Sequence, residues 1–332
     1  MVGSGTHRSA ANGFLYTTLN YIYMTIVYVD RLYISAHPCL IQTTMVPRKK
    51  ETGYIVLALA GILILALVAA GCVGSGTSLS PSQERTSIKV TGSTTVLPIA
   101  QKAADAYMGT HADADIQVTG GGSSVGVQAA GEKTADIGMS SRDVKAEELA
   151  KYPGLAITPI GKDGVAVIVN PANSITGLSP AQIKAIYNGT YTNWNQVGGP
   201  DMTIVVIGRD SASGTREFFT SSIMGSETYV PTMLEKNSNG AVKQTITQTP
   251  GAIGYVGLGF IDNTVTPVSI DINGVLTEPT VDNVLGGTYP LSRSLYMLTN
   301  GQPTGLARTY IDFILSPEGQ ALLTEEGFVP LK

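Results

Sequence analysis

Four times along this chain a short β-type run ends in Gly, Ser and Thr residues that open a helical pattern. The junctions lie at residues 92–95, 120–124, 140–142 and 211–215. Residues 88–91 alternate as a half-buried strand does. Gly92, Ser93, Thr94 and Thr95 then lead into residues 96–108, where Val96, Ala100, Ala103 and Tyr107 recur at helical spacing and Pro98 sits early, where proline is tolerated. Residues 116–119 lead through Gly120 to Ser124 into a short helix ending near Ala130. Residues 136–139 lead through Ser140, Ser141 and Arg142 into a helix through Tyr152, and residues 203–207 lead to Gly208–Thr215 and a helix through about Ser222. Residues 165–169 form a continuous apolar run of the buried-strand type. Ser179-Pro180-Ala181-Gln182 is a capping box with proline at the first helical position, opening a helix that Gly189 ends. This alternation implies an α/β architecture.

The junctions share one chemistry. A helix start leaves backbone N–H groups without partners and carries partial positive charge. Small residues let an anion approach those groups, and hydroxyls add donors. Arg142 at the third junction and Arg209 with Arg216 at the fourth add planar guanidinium forks suited to oxyanions. Ordinary N-capping accounts for any single junction. Four of them, two with arginine, point to an oxyanion site.

Rival chemistries are testable on the same residues. The Walker pattern GxxxxGK[ST] is absent, and GxGxxG fails because Val125 stands where the third glycine belongs. Residues 122–126 match the nucleophile-elbow pattern GxSxG, with Ser124 as the serine. A hydrolase triad needs a histidine after that serine, and the histidines are His7, His37 and His111. The two cysteines, Cys39 and Cys72, exclude a disulfide framework or a CxxC site. These scarcities favour binding over catalysis, with no metal, no cofactor and no enzyme activity expected. His111, beside Asp113 and Asp115, reads as a surface residue; Glu147-Glu148 and Glu325-Glu326 read as solvent-facing, and Trp194 as a packing anchor beside a turn. Only 14% of residues are charged and the net charge is −4, without the basic footprint of a nucleic-acid binder.

A length of 332 residues suggests about two domains, but the composition changes along the chain. Arg48, Lys49 and Lys50 precede an uncharged apolar run at 54–70, and small residues stand directly before Cys72. Basic cluster, short apolar run and small residues define a secretory signal, here of lipobox type, with Ala69 where leucine is usual. Residues 45–71 are expected to be a lipoprotein signal peptide and Cys72 the lipid-attachment site. An uncleaved anchor helix is the alternative, and both place the remainder outside the cytoplasmic membrane. Residues 1–44, crowded with tyrosines, read as an extension from a start codon assigned too early, with Met45 as the ordinary start; a genuine membrane segment over the fairly apolar residues 14–29 is the alternative. Residues 72–86 are Gly/Ser-rich and read as a flexible tether. From Cys72 onward, 16 basic residues face 23 acidic ones, a net of −7.

The body resembles the phosphate-binding subunit of phosphate ABC importers, the PstS family, over nearly all of residues 87–332. The motifs are VTGSTTVLPIAQ from Val90, TGGGSSVGVQAA from Thr119, ADIGMSSRDV from Ala135, LSPAQIKAIYNGTYTNWNQVGG from Leu178, GRDSASGTREFF from Gly208, PGAIGYVGLGF from Pro250, YPLSRSLYMLTNG from Tyr289 and the closing ILSPEGQALLTEEGFVPL. The resemblance implies a two-lobed type II periplasmic-binding-protein fold with the ligand cleft between lobes. Lobe 1 is expected at 87–167 plus 292–332 and lobe 2 at 168–291, with hinges at 165–169 and 289–293. It also implies capture of inorganic phosphate by hinge closure and delivery to ABC permease subunits with a cytoplasmic ATPase. The protein is expected to be a monomer, lipid-anchored to the outer face of the cytoplasmic membrane. By motif, Ser93, Thr94, Thr95, Ser123, Ser141, Arg142, Arg209, Ser213, Gly214 and Thr215 are the expected phosphate-binding residues. Some members place an aspartate, which accepts the proton of hydrogen phosphate, where this chain has Ser141. Asp143 and Asp210 are nearby candidates for a charge acceptor, for orienting an arginine, or for capping. The alternatives are a binder of another tetrahedral oxyanion (sulfate, molybdate or tungstate), or a secreted serine-dependent phosphatase or esterase.

Overall fold

The computed structural model describes residues 86–331. The expected extension 1–44, signal segment 45–71, Cys72 and all of the expected tether except Thr86, which already belongs to the first strand, lie outside the described residues.

The N-terminal strands are β1 (Thr86–Gly92), β2 (Ala114–Gly120) and β3 (Ile137–Ser140). Helix α1 (Leu97–Thr110) connects the first two, and α2 (Ser123–Gly131) connects the second to the third. β1 lies between β2 and β3 and is parallel to both, as helical crossovers require. The short α3 (Ala146–Lys151) precedes β4 (Leu155–Val169), a strand of 15 residues and so far longer than the apolar run at 165–169 suggests. The extra length arises because residues 155–164 pair with a strand arriving from near the C-terminus.

Next come β5 (Gly177–Leu178), α4 (Pro180–Tyr187), β6 (Val205–Arg209), α5 (Gly214–Phe219), β7 (Leu234–Lys236), α6 (Asn239–Gln248), β8 (Ala252–Gly257), β9 (Thr266–Ile272), β10 (Val275–Thr277) and α7 (Val281–Leu285). The chain then returns as β11 (Ser292–Asn300) and finishes with α8 (Gly305–Leu315) and α9 (Pro317–Glu325). The strand order is β2-β1-β3-β11-β4-β8-β6-β7, with β9 joining β4, β5 and β10. β11 runs antiparallel to β3 and to the first part of β4. The second part of β4, residues 165–169, runs antiparallel to β8, and its last three residues also to β9.

Buried side chains separate into two main groups along the same division. Ile88, Val90, Ile99, Ile137, Ile160, Leu295, Tyr310 and Phe328 belong to one core. Val167, Tyr187, Trp194, Ile207, Phe219, Tyr255 and Val268 belong to the other. Fully burying each such aliphatic or aromatic side chain contributes about 1.5–3 kcal/mol. Trp194 is the packing anchor expected of it: it is fully buried, and its indole N–H donates to the Gly251 carbonyl at 3.0 Å. The capping box at Ser179 forms as read, with Ser179 Oγ accepting from Gln182 N and the Gln182 side chain accepting from Ser179 N.

The third junction departs from expectation, because β3 does not run straight into a helix. The Ser140 hydroxyl donates to the Arg142 carbonyl at 2.7 Å and holds residues 140–142 in a bend, as short polar side chains do when they compete with helical bonding. Helix α3 begins only at Ala146 and stops before Tyr152, which precedes a proline and is biased away from the helical region. Likewise α5 ends at Phe219, and residues 220–224 widen into a π-type turn. No helix among the described residues is long and apolar enough to cross a membrane.

Candidate functional site

The C-terminal ends of β1, β2, β3 and β6 converge. In open α/β sheets this is the end where ligands bind, at the point where strand order reverses. Ser93, directly after β1, is buried. Its hydroxyl accepts from the backbone N–H of Thr95 at 3.2 Å and of Val96 at 3.4 Å, so it caps the turn leading into α1. That leaves the next two hydroxyls free to look across the molecule. Thr94 Oγ1 accepts from Arg209 Nη2 at 3.2 Å and from Asn239 Nδ2 at 3.1 Å. Thr95 Oγ1 accepts from Asn239 Nδ2 at 3.0 Å and from Arg293 Nη2 at 3.2 Å.

After β2 the chain turns sharply at Gly122, whose φ of +101° favours glycine. A Cβ there would sit 2.4 Å from the Ala212 carbonyl oxygen, so the absence of a side chain lets the 211–213 loop approach. The backbone N–H of Ser124 donates to that carbonyl at 3.2 Å. Ser123 Oγ accepts from Ser141 N at 3.0 Å and lies 3.3 Å from Ser141 Oγ, joining the second and third junctions. A Cβ on Gly214 would fall 2.2 Å from Ser123 Oγ, so that position also requires glycine. Ser213 Oγ caps α5 by accepting from Arg216 N at 3.2 Å.

Arg209, the last residue of β6, supplies the site's electrostatics. It is 1% exposed. Nε donates to the Lys236 carbonyl at 3.1 Å, and Nη2 donates to the Asn237 carbonyl at 3.2 Å as well as to Thr94. Nη1 has no partner, and no carboxylate among the described residues pairs with this guanidinium. Burial depresses its pKa to about 10, which leaves it charged at neutral pH. An uncompensated buried cation is costly, so the arrangement favours an anion beside Nη1.

Arg142 behaves differently from the oxyanion donor expected of it. Its Nη1 and Nη2 each donate to a Glu148 carboxylate oxygen at 2.7 Å, and its Nε lies 2.7 Å from a Glu217 oxygen. Nη2 also donates to Ser124 Oγ at 3.1 Å and Nη1 to the Asp143 carbonyl at 2.8 Å. Two carboxylates therefore neutralise it beside the hydroxyl cluster. Glu148 is thus an ion-pair partner rather than the solvent-facing residue the sequence suggests. Burial opposes its charge, but the bonds from Arg142 and from Lys145 N outweigh that and hold its pKa below the usual carboxylate range. Asp210 Oδ1 caps the next turn through Ala212 N at 3.1 Å, and Asp143 Oδ1 accepts from Tyr296 OH at 2.6 Å, and neither carboxylate forms an ion pair with an arginine among the described residues.

Three residues of the cluster escape a reading of the sequence. Asn239 opens α6 and bridges both threonine hydroxyls. Asp163 and Arg293 are opposite each other in the β4–β11 register, and Arg293 Nε and Nη2 donate to one Asp163 oxygen at 3.0 and 2.7 Å. Burial raises the Asp163 pKa and lowers that of Arg293. The signal available was a charge in each of two strand-like segments, Asp163 beside Lys162 in one and Arg293 alone in the other, but the pairing that joins them is not a local property. Ser124, the serine of GxSxG, lies in the first turn of α2, and His111 is exposed with its ring stacked on Tyr107 at 4.0 Å. No cluster of His, Cys, Asp or Glu suited to a metal occurs among the described residues.

Comparison with known proteins identifies the family of the chain. Residues 78–318 match the model of a PBP superfamily domain. The chain is 32% identical over 295 residues to the phosphate-binding protein PstS of Bacillus subtilis, covering 85% of this chain and 95% of that protein. It is 32% identical over 287 residues to the phosphate-binding protein PstS of Staphylococcus aureus strain USA300, covering 82% and 85%. Among solved structures, a phosphate ABC transporter substrate-binding protein from Clostridium perfringens with bound phosphate superposes with a TM-score of 0.70 at 34% identity, covering 74% of this chain and all of that one. An ABC-type phosphate transport receptor from Vibrio cholerae gives 0.61 at 33% identity, with the same coverages.

Proposed function

The chain belongs to the PstS phosphate-binding proteins of the periplasmic-binding-protein superfamily, and from that premise we propose that it captures inorganic phosphate and delivers it to an ABC importer. The fold is the two-lobed type II fold of that superfamily, and the role is binding rather than catalysis. The observation that carries the phosphate reading is Arg209: a buried guanidinium without a carboxylate, one nitrogen unpartnered, set among the hydroxyls of Thr94, Thr95 and Thr215. Charged hydrogen bonds in a site shielded from water outweigh the diffuse, screened field of a net −7 body.

In this reading, Thr94, Thr95, Ser123, Ser141, Arg209, Ser213, Gly214 and Thr215 surround the oxyanion, with Ser93 shaping the first turn. Arg142 acts from outside as part of an ion-pair group. Lobe 1 comprises 87–167 and 292–332 and lobe 2 comprises 168–291; the two separate buried cores support a division of this kind, with Val165, Ala166, Val167 and Val329 packing in the second core. Closure brings Thr95 against Thr215 and Arg142 against Glu217. The protein works outside the cytoplasmic membrane, held by lipid on Cys72, and passes phosphate to permease subunits driven by a cytoplasmic ATPase.

One observation favours a second reading, another tetrahedral oxyanion. Ser141 stands where a carboxylate would accept the proton of hydrogen phosphate, and Asp143 and Asp210 are engaged elsewhere. Titration calorimetry of the purified protein against phosphate, arsenate, sulfate and molybdate separates the two. Saturable phosphate binding far stronger than sulfate or molybdate binding is expected. A preference for sulfate or molybdate moves the assignment to the second reading, and heat from none of them removes both.

A further inference from the structure

Arg293 has the same unusual feature as Arg209. It is 6% exposed, and its Nη1 has no partner. The other edge of its guanidinium is fixed on Asp163, its Nη2 also reaches Thr95 Oγ1, and its face lies 5.7 Å from the Phe218 ring. The two arginines hold consecutive residues: Arg209 Nη2 is on Thr94 and Arg293 Nη2 is on Thr95, while Asn239 Nδ2 touches both hydroxyls. Burial is the main cause of the depressed Arg209 pKa, and the positive charge of Arg293 adds to it. Asp163 balances one of the two cations. The buried set therefore retains one uncompensated positive charge and two unpartnered guanidinium nitrogens.

We infer that Arg293 is a second guanidinium donor to the bound oxyanion, its Nη1 contacting the same anion as Arg209 Nη1, with Asp163 as the residue that positions it. An anion with several acceptor oxygens satisfies both nitrogens at once and balances the remaining charge. Because Asp163 and Arg293 are register partners on β4 and β11, the two strands that link the sheet's halves carry a ligand contact. This inference rests on the phosphate reading and extends its site to a residue from the returning strand.

The test is a crystal structure of the protein with inorganic phosphate, together with calorimetry of Arg293→Lys and Arg293→Gln. Lysine keeps a positive charge beside Asp163 but lacks the fork that reaches Asp163 and the anion together. The expected result is Arg293 Nη1 at hydrogen-bond distance from a phosphate oxygen, with Arg293→Lys binding phosphate about ten- to a hundredfold more weakly, the worth of one hydrogen bond to a charged group. Unfolding temperatures without phosphate separate this loss from a general weakening of the fold, and the phosphate-induced rise in that temperature shrinks in the variants. If Arg293→Lys fails to fold, the contact in the unsubstituted complex decides alone. Phosphate bound by Arg209 with Arg293 Nη1 turned to water, and Arg293→Lys titrating within about twofold of the parent, overturns the inference and leaves the phosphate reading standing. No phosphate binding by the unsubstituted protein overturns both.

Discussion

The hydroxyls of Thr95 and Thr215, 120 residues apart in sequence, share a hydrogen bond of 3.1 Å. One follows β1 and the other lies in α5, and both are buried. Two of the four junctions whose sequence pattern suggested anion binding therefore meet directly.

Replacing Arg209 with alanine removes the buried cation and one unpartnered donor. Phosphate affinity should fall by about ten- to a hundredfold or more, since hydrogen bonds to charged groups contribute about 1.5–3 kcal/mol. Lys151, exposed and paired only loosely with Glu132 at 3.7 Å, serves as the control. Its alanine variant should titrate like the parent. Comparable small losses in both would remove Arg209 from the site.

Gly214→Ala places a Cβ 2.2 Å from Ser123 Oγ, where two junctions meet. Overpacking of this kind costs about 1–3 kcal/mol, and here the displaced atom belongs to the site, so phosphate binding should weaken along with the unfolding temperature. Gly240 in α6 has open space around its Cβ position. Gly240→Ala should raise stability slightly through helix propensity, by less than the ~0.5–1 kcal/mol of a mid-helix site because it stands in the first turn, and leave binding unchanged. Denaturant unfolding and calorimetry on both variants check the contrast.

Asp163→Asn leaves Arg293 buried without its counter-charge. Breaking a buried pair by removing one partner costs about 3–5 kcal/mol, so a clear drop in the denaturation midpoint is expected. An unchanged midpoint would show that the pair is not buried in solution as it is here.

Glu217→Gln removes the carboxylate that meets Arg142 at 2.7 Å and Lys145 at 3.0 Å from the opposite lobe of the proposed division. If the lobes close as proposed, the pair belongs to the closed form, and faster phosphate dissociation with little change in ligand-free stability is expected. Stopped-flow dissociation rates measure it, and a rate equal to the parent's would exclude a latch role.

Acid should destabilise the protein in a defined direction. Bonds from Lys243 and Thr264 lower the Asp262 pKa from 3.8 to about 2, and Glu148 is held low by Arg142. A carboxylate depressed in the folded state contributes stability that is fully present above its unfolded pKa and lost as pH falls through the folded one. For Asp262 the loss lies between about pH 4 and pH 2. Unfolding temperatures followed from pH 6 to pH 2 should fall in that window, and Asp262→Asn should flatten part of the fall.

Much of the site is local and was therefore legible. Small residues after a strand, a capping serine and an arginine at a strand end are set by nearby backbone geometry and mark the junctions; the family motifs then single out Thr94, Thr95, Ser123, Arg209 and Gly214 as candidates. Arg142 could not be judged that way. Its role depends on Glu217, 75 residues later, which neutralises it together with Glu148.

The sequence by itself determined the α/β alternation, the capping at Ser179, the burial of Trp194 and the family motifs. Each rests on residue spacing or on interactions within a few positions. Only the tertiary structure decided that β11 returns to pair with β4, that Asp163 therefore faces Arg293, and that Asn239 bridges two threonines. Strand register between segments some 130 residues apart depends on packing in the whole molecule, and the partners of buried charges follow from that packing rather than from their neighbours in the chain.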